Sequence, residues 1–136
     1  IYREEEREIL PLCRDCKMAI VPWSPLAVGR CAHPWGIKTP RNTVDEVSPM
    51  VWGATDAVDK VVVDNLEKVA AAHGRTMAQE SLAWMLSKPG ITAPIIGVTS
   101  VRHVEEAVSA VDIKLNEDEI NALEVPYVPH IKTGAF

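Results

Sequence analysis

Apolar residues are spaced along this chain in two ways. One short apolar run, Met18-Ala19-Ile20-Val21, shows no alternation, and Ile91 to Val98 reads as a second buried strand; such a run suits a strand covered on both faces, as in a parallel sheet. Elsewhere apolar residues recur every three or four positions, the period of an amphipathic helix. From Arg3 to Cys16 the residues Ile9, Leu12, Cys13 and Cys16 share a face, with Glu4, Glu5 and Glu6 in the first turn and Arg14 and Lys17 near the end, as the helix dipole favours. Pro11 is placed to kink this helix or end its first part. A second helix is predicted from Asp56 to His73, with Val58, Val62, Leu66, Val69 and Ala70 inward and Gly74 as its stop. Thr76-Met77-Ala78-Gln79 forms a capping box that opens a third, carrying the stripe Ala78, Leu82, Met85 and Leu86 to about Ser87, where Lys88-Pro89-Gly90 ends it. Ser100 can cap a fourth, from Val101 to about Val111, which should turn Val104, Ala107, Val108 and Val111 inward. Asn116 to Glu119 is another capping box, opening a short helix with Ile120 and Leu123 before an irregular tail, Pro126 to Phe136.

Helix, strand, long loop, two helices, strand and two helices make an α/β alternation in one domain, residues 1–136. The first strand breaks at Pro22 into Trp23-Ser24-Pro25-Leu26 and then Gly29-Arg30; the second reaches Gly97. Open α/β sheets and (β/α) barrels keep their ligand sites at such carboxyl ends. The stretch from Cys31 to Thr55, with Trp35 and Trp52, is long for a passive connection and is expected to be a flap or a site wall. Two parallel strands do not make a stable sheet alone, so others should come from elsewhere. The first residue is Ile1 rather than Met, which agrees with a piece of something longer.

Composition narrows the partners more than it identifies them. The chain has 136 residues, 47% hydrophobic and 24% charged, ordinary values for a globular domain with a real core. Its net charge of −5 argues against nucleic acid or an anionic membrane as partner. No apolar run approaches a membrane span, and the first residues do not read as a signal peptide. Three cysteines, an odd count with no secretory signal, point to reduced thiols and a cytoplasmic location.

Four segments in register, REEEREILPLC, IVPWSPLAVGR, TMAQESLAWMLSKPGITAPIIGVTS and VEEAVSAVDIKLNEDEINALEVPYVPH, resemble the C-terminal part of an aldo-keto reductase, nearest the aryl-alcohol dehydrogenase and versiconal or norsolorinic acid reductase branch, a secondary-metabolism setting. The resemblance implies the C-terminal portion of a (β/α)8 TIM barrel. Residues 18–22 would be its seventh strand and 93–98 its eighth; the helix from Asp56 an extra helix, 76–87 the seventh helix, 101–111 the eighth and 116–124 a second extra helix. The family reduces aldehydes and ketones with NADPH, and its catalytic Asp, Tyr, Lys and His come from the first half of the barrel. Tyr2 and Tyr127 do not match the catalytic Tyr, so no catalytic residue is assigned. The partners implied are a small aldehyde or ketone and the missing N-terminal half of the barrel.

The resemblance does imply a cofactor cleft for NADP(H). Trp23 matches the aromatic that stacks on the nicotinamide. Ser24, Leu26, Gly29 and Arg30 match the loop that cradles the pyrophosphate. Gly97, Thr99, Ser100 and Arg102 match the loop that holds the 2′-phosphate, at a helix N-terminus where N–H groups favour anions. His103, Glu106 and Ala107 match positions at the adenine end. Many members carry Arg or Lys near Thr99 or Ser100, Gln at His103 and Asn at Ala107; the missing cation leaves NADPH against NADH open unless Arg102 supplies it, and the missing Asn removes a hydrogen bond worth about 1 kcal/mol.

Each position also has a plainer reading. Trp23 could be a core aromatic, Ser24 a turn residue before Pro25, Arg30 a solvated cation and Ser100 only an N-cap. His103 reads better as a packed or solvated histidine than as a ligand, and Trp35 and Trp52 either wall a substrate or pack the loop. Cys13-Arg14-Asp15-Cys16 with Cys31 and His33 suggests zinc or redox chemistry only weakly, because the pair sits at the negative end of a helix; both cysteines are expected on its inner face, and no metal site is assigned. The leading reading is part of an NADP(H)-dependent oxidoreductase that is inactive as this segment alone. The alternative is a truncated, inactive fragment that acts, if at all, by binding a partner. A free-standing nucleotide module is disfavoured by the absence of G-x-G-x-x-G and G-x-x-x-x-G-K-[ST].

Overall fold

A computed structural model of the chain describes residues 1–37 and 55–129. Among these residues the architecture is five α-helices, three single 3-10 turns and one parallel pair of extended segments. The helices are α1 (Ile9–Asp15), α2 (Asp56–Ala72), α3 (Met77–Ser87), α4 (Val101–Ser109) and α5 (Glu117–Glu124). The 3-10 turns are Glu4–Glu6, Ala27–Gly29 and Ala110–Asp112.

The helix expected over Arg3 to Cys16 is split. A 3-10 turn holds the glutamates, Glu8 leaves the helical region, and α1 starts at Ile9. The cause is Pro11. With no N–H it cannot bond the Arg7 carbonyl, and it falls instead in the first turn of α1, where that donor has no intrahelical partner anyway. The helix closes in a Schellman turn: Lys17 takes φ +55, Met18 donates its N–H to the Cys13 carbonyl at 2.8 Å, and Lys17 donates to Arg14 at 3.1 Å. The expected inner face is not buried here: Ile9, Leu12 and Cys16 are exposed and Cys13 is half-buried.

The middle helices keep their expected extents within a residue, but of the stripe expected on α3 only Ala78 and Leu82 are buried, while Met85 and Leu86 are half-buried and Met77, Glu80, Ser81 and Ala83 are buried as well. α2 ends at Ala72 with Gly74 at φ +64. Its buried stripe is rotated slightly, to Asp59, Val63, Leu66 and Ala70, with Val58, Val62 and Val69 half-buried at its edge. Both capping boxes form: Thr76 Oγ1 accepts from Gln79 N–H at 3.1 Å while Gln79 Oε1 accepts from Thr76 N–H at 2.9 Å, and Asn116 and Glu119 do the same for α5. The core lies where α2, α3 and α5 meet the Ala27–Cys31 stretch, and gathers Val63, Leu66, Ala70, Met77, Leu123, Ala27 and Cys31.

Two apolar runs pair in parallel, as expected, but only through single bridges, Ile20 with Ile91 and Trp23 with Ile95. The Ile20 carbonyl accepts from Thr92 N–H at 2.8 Å, the Pro22 carbonyl accepts from Ile95 N–H at 2.8 Å, and Ile20 N–H donates to Thr92 Oγ1 at 3.1 Å. Burial on both faces does not occur. Ile20 is buried, while Met18, Val21, Ile95 and Val98 are exposed. The described chain supplies no further strand to lie beside this pair and no layer to cover its second face. The same shortage overturns the expectation for α4. Val104, Val108 and Val111 are exposed, as is Val101, and the buried position passes to Ala110. Trp52 and the tail beyond Pro129 lie outside the described residues.

Two ionic clusters stitch the helices together. Glu80 is fully buried yet bonded on both oxygens, by His73 Nδ1 at 2.9 Å and Arg75 Nη1 at 3.2 Å, with His73 Nε2 3.5 Å from Glu119 of α5. A buried carboxylate is tolerated when its lone pairs are met in this way. The second cluster joins the first residues to the last described ones. Arg3 pairs with Glu6 at 2.8 Å and Glu124 at 2.9 Å, and its guanidinium lies over the rings of Trp84 and Tyr127. Tyr127 Oη accepts from Arg3 N–H at 3.2 Å and donates to Glu4 Oε1 at 2.9 Å. Burial pushes the Tyr127 phenol up to about 12, against the Arg3 hydrogen bond and with help from Glu4. Burial also raises Glu124, but hydrogen bonds from Lys88 and Trp84 and the charge of Arg3 outweigh it and hold the carboxyl below its ordinary range.

Candidate functional site

The parallel pairing decides where the candidate residues go. Because Trp23 and Ile95 are bridged in the same direction, the segments that follow them, Ser24–Arg30 and Gly97–Arg102, leave from the same edge of the pair. Trp23 stands there 64% exposed. Among the described residues the ring is not buried in the core.

The first segment has an uncommon backbone. Ser24, Ala27 and Val28 all take positive φ, at +51, +48 and +59, followed by Gly29 at +95. The left-handed region is unfavourable for residues with a Cβ and most so for a β-branched one such as Val28; each instance costs about 1–3 kcal/mol and persists where the surroundings impose it. What imposes it is visible on either side. Ala27 and Cys31 are buried, and the Cys31 carbonyl accepts from Ser81 Oγ of α3 at 3.2 Å. Burial also pushes the Cys31 thiol up, so it is a packing group rather than a nucleophile. Between them Arg30 reaches α2, with Nη1 2.7 Å from Asp56 and 3.5 Å from Asp59, and lies over the ring of Trp35 at 5.2 Å. Arg30 is therefore neither a solvated cation nor an uncommitted one. Trp35 packs against the core edge.

The second segment is more open. Gly97, Thr99, Ser100, Arg102 and His103 are exposed, and Glu106 and Ala107 are half-buried. Ser100 Oγ caps α4 by accepting from His103 N–H at 3.3 Å, and Thr99 Oγ1 lies 3.2 Å from His103 Nδ1. Arg102 is an exposed cation in the first turn of α4.

A cleft of about 480 Å³ opens beside the first segment. Its lining includes Trp23, Ser24, Pro25 and Ala27 of that segment, with Trp84 and Tyr127. No residue from 97 to 107 borders it, so the two candidate segments share an edge of the strand pair without sharing this cleft. Sequence reading missed Thr55, Asp56 and Asp59 as partners of the site. The available signal was Asp59 itself, a carboxylate on the stripe it shares with Val63, Leu66 and Ala70. Among the described residues no group of three or more His, Cys, Asp or Glu is placed to hold a metal, and no helix is long and apolar enough to cross a membrane.

Comparison with known proteins gives these segments a context. Versiconal hemiacetal acetate reductase of Aspergillus parasiticus is 41% identical over 131 residues, which cover 95% of this chain and 38% of that protein. An aldo-keto reductase of Fusarium vanettenii is 37% identical over 130 residues, covering 95% and 35%. The crystal structure of the thermostable aldo-keto reductase Tm1743 in complex with the inhibitor epalrestat superposes with a TM-score of 0.60 at 28% identity, covering 92% of this chain and 36% of that one. The chain thus spans a little over a third of the length of the proteins it matches. The sequence model of the aldo/keto reductase family matches residues 1–125, and this chain belongs to that family.

Proposed function

We propose that this chain is the cofactor-cleft part of an NADP(H)-dependent oxidoreductase that reduces aldehydes or ketones, folded in the complete protein as the last strands and helices of a (β/α)8 barrel. The observation that carries this reading is the parallel Trp23–Ile95 bridge, which sends two candidate phosphate-binding segments off the same edge of the strand pair. Family membership supplies the reaction class. The residues fit a dinucleotide phosphate: a strained, well-anchored turn at one end, and a capped helix N-terminus with Thr99, Ser100 and Arg102 at the other. The cofactor, when bound, supplies the hydride.

In this reading Trp23 gives the nicotinamide a flat, exposed face, Ser24 donates a hydroxyl, and the Leu26–Gly29 backbone approaches the pyrophosphate. Gly97 opens the second segment. Thr99, Ser100 and Arg102 receive the 2′-phosphate, and His103, Glu106 and Ala107 border the adenine. No proton donor is assigned to this chain, so the segment alone should not turn over a carbonyl substrate. The exposed faces of the strand pair and α4 support the same reading, because they are the surfaces that a barrel's remaining units would cover.

The test uses the whole reading frame that contains this chain. It should oxidise NADPH in the presence of an aldehyde, and Trp23→Ala should weaken NADPH binding by roughly tenfold, the loss of one aromatic stacking partner. Unchanged affinity in the variant removes Trp23 from the cleft; a whole chain that neither binds nor oxidises NADPH overturns the proposal.

A further inference from the structure

We propose that Arg30 is a positioning residue, tying the strained Ser24–Gly29 turn to α2 through Asp56 and Asp59, and is not itself a phosphate ligand. This rests on the cofactor reading above. A phosphate-binding arginine has to turn its guanidinium toward the anion, which a group paired with carboxylates and largely enclosed is less free to do. Arg30 has already given Nη1 to Asp56 at 2.7 Å and lies 3.5 Å from Asp59, with its side chain only 18% exposed and its guanidinium over Trp35. Both carboxylates lie on α2, so the guanidinium is drawn toward that helix. Asp59 is fully buried and accepts from Thr55 Oγ1 at 2.6 Å, which fixes the carboxylate that Arg30 must reach. The tie also falls at the right place. It follows Gly29 directly, and Cys31 on its far side is anchored to Ser81, so the left-handed run from Ala27 to Gly29 ends in two adjacent anchors, one on each helix.

The two roles predict opposite signs. If Arg30 binds phosphate, removing a competing carboxylate frees it, and Asp56→Asn should tighten the cofactor. If Arg30 is a tie, the same substitution loosens the turn and weakens binding. Asp56 is well exposed, so its variant should fold, and a thermal melt checks this; Asp59→Asn is the stronger, buried counterpart. NADPH affinity is measured on the whole reading frame for wild type, Asp56→Asn, Asp59→Asn, Arg30→Met and the Arg30→Met/Asp56→Asn double variant, with amide hydrogen exchange over residues 24–31 in each. The expected result is a roughly tenfold weaker affinity for Arg30→Met and a smaller loss for Asp56→Asn, with no further loss in the double variant. Exchange over 24–31 should rise in every variant. Tighter NADPH binding in Asp56→Asn, or exchange there that stays at the wild-type rate, overturns the proposal. If exchange rises but the wild-type chain binds no NADPH, the cofactor reading has failed and takes the positioning role with it, leaving a purely structural tie.

Discussion

Tyr127 shows how one side chain reports on the joining of distant segments. Its hydroxyl takes a hydrogen bond from the Arg3 backbone and gives one to Glu4. Burial raises its pKa from 10 to about 12, so between these values the unfolded chain ionises while the folded one keeps its proton. The resulting contribution to stability is complete below about pH 10 and is lost as pH rises toward 12. Tyr127→Phe keeps the ring under Arg3 but removes both hydrogen bonds, and is expected to cost about 1 kcal/mol at neutral pH. Denaturant melts should show the wild-type advantage over Tyr127→Phe shrinking above pH 10; an advantage that stays constant to pH 12 would show that the phenol is not held in this way. In the sequence Tyr127 sat in a tail that looked irregular, and nothing local marked it, because its partners lie 123 and 124 residues away.

Local signals were the ones that could be read. Both capping boxes, the end of α2 at Gly74 and the stop after Ser87 each depend on neighbours within four residues, and each is present. The rotation of the α2 stripe was less legible, since a carboxylate, Asp59, takes a position that hydrophobicity alone would leave to a valine. The turn after the Ser87 stop holds a glycine, Gly90, whose requirement is tertiary. It adopts φ +92, and a Cβ there would lie 2.9 Å from Arg14 Cγ and 3.2 Å from Ile20 Cδ1. Gly90→Ala thus combines backbone strain with displacement of Arg14, whose Nη1 donates to the Pro89 carbonyl at 3.2 Å, and of the one buried residue of the first extended segment. We expect a loss of about 1–3 kcal/mol in a thermal or denaturant melt. A melt unchanged within 0.5 kcal/mol, roughly the spread of neutral surface substitutions, would mean that this turn yields without resistance. For the candidate site, pattern alone located the two segments and the strand ends they follow, while the family likeness supplied their roles. The salt-bridged state of Arg30 was hidden, because the chain gives no sign of which carboxylate folds back to a cation 26 residues away.

Taken whole, the described chain has more apolar surface than its own elements cover. Met18, Val21, Trp23, Ile95 and Val98 on the strand pair, and Val101, Val104, Val108 and Val111 on the helix and turn that follow, all lie exposed. Parallel pairs with uncovered faces and open edges associate with whatever offers a matching surface. The 136-residue chain expressed alone is therefore expected to self-associate, with light scattering giving a mass that rises with concentration; a monomer at every concentration with a cooperative melt would show that these faces are stable in water. The cluster around Arg3, Glu124 and Tyr127 has a kinetic consequence. α2 and α3 are joined by a four-residue connection and α3 carries its own capping box, so they can form early from local contacts. The cluster must wait for residues at opposite ends of the described chain to meet, and contacts of such sequence separation are slow to close. Interactions made after the folding barrier act on the unfolding rate. Weakening this cluster should therefore leave the speed of folding almost unchanged and shorten the lifetime of the folded state.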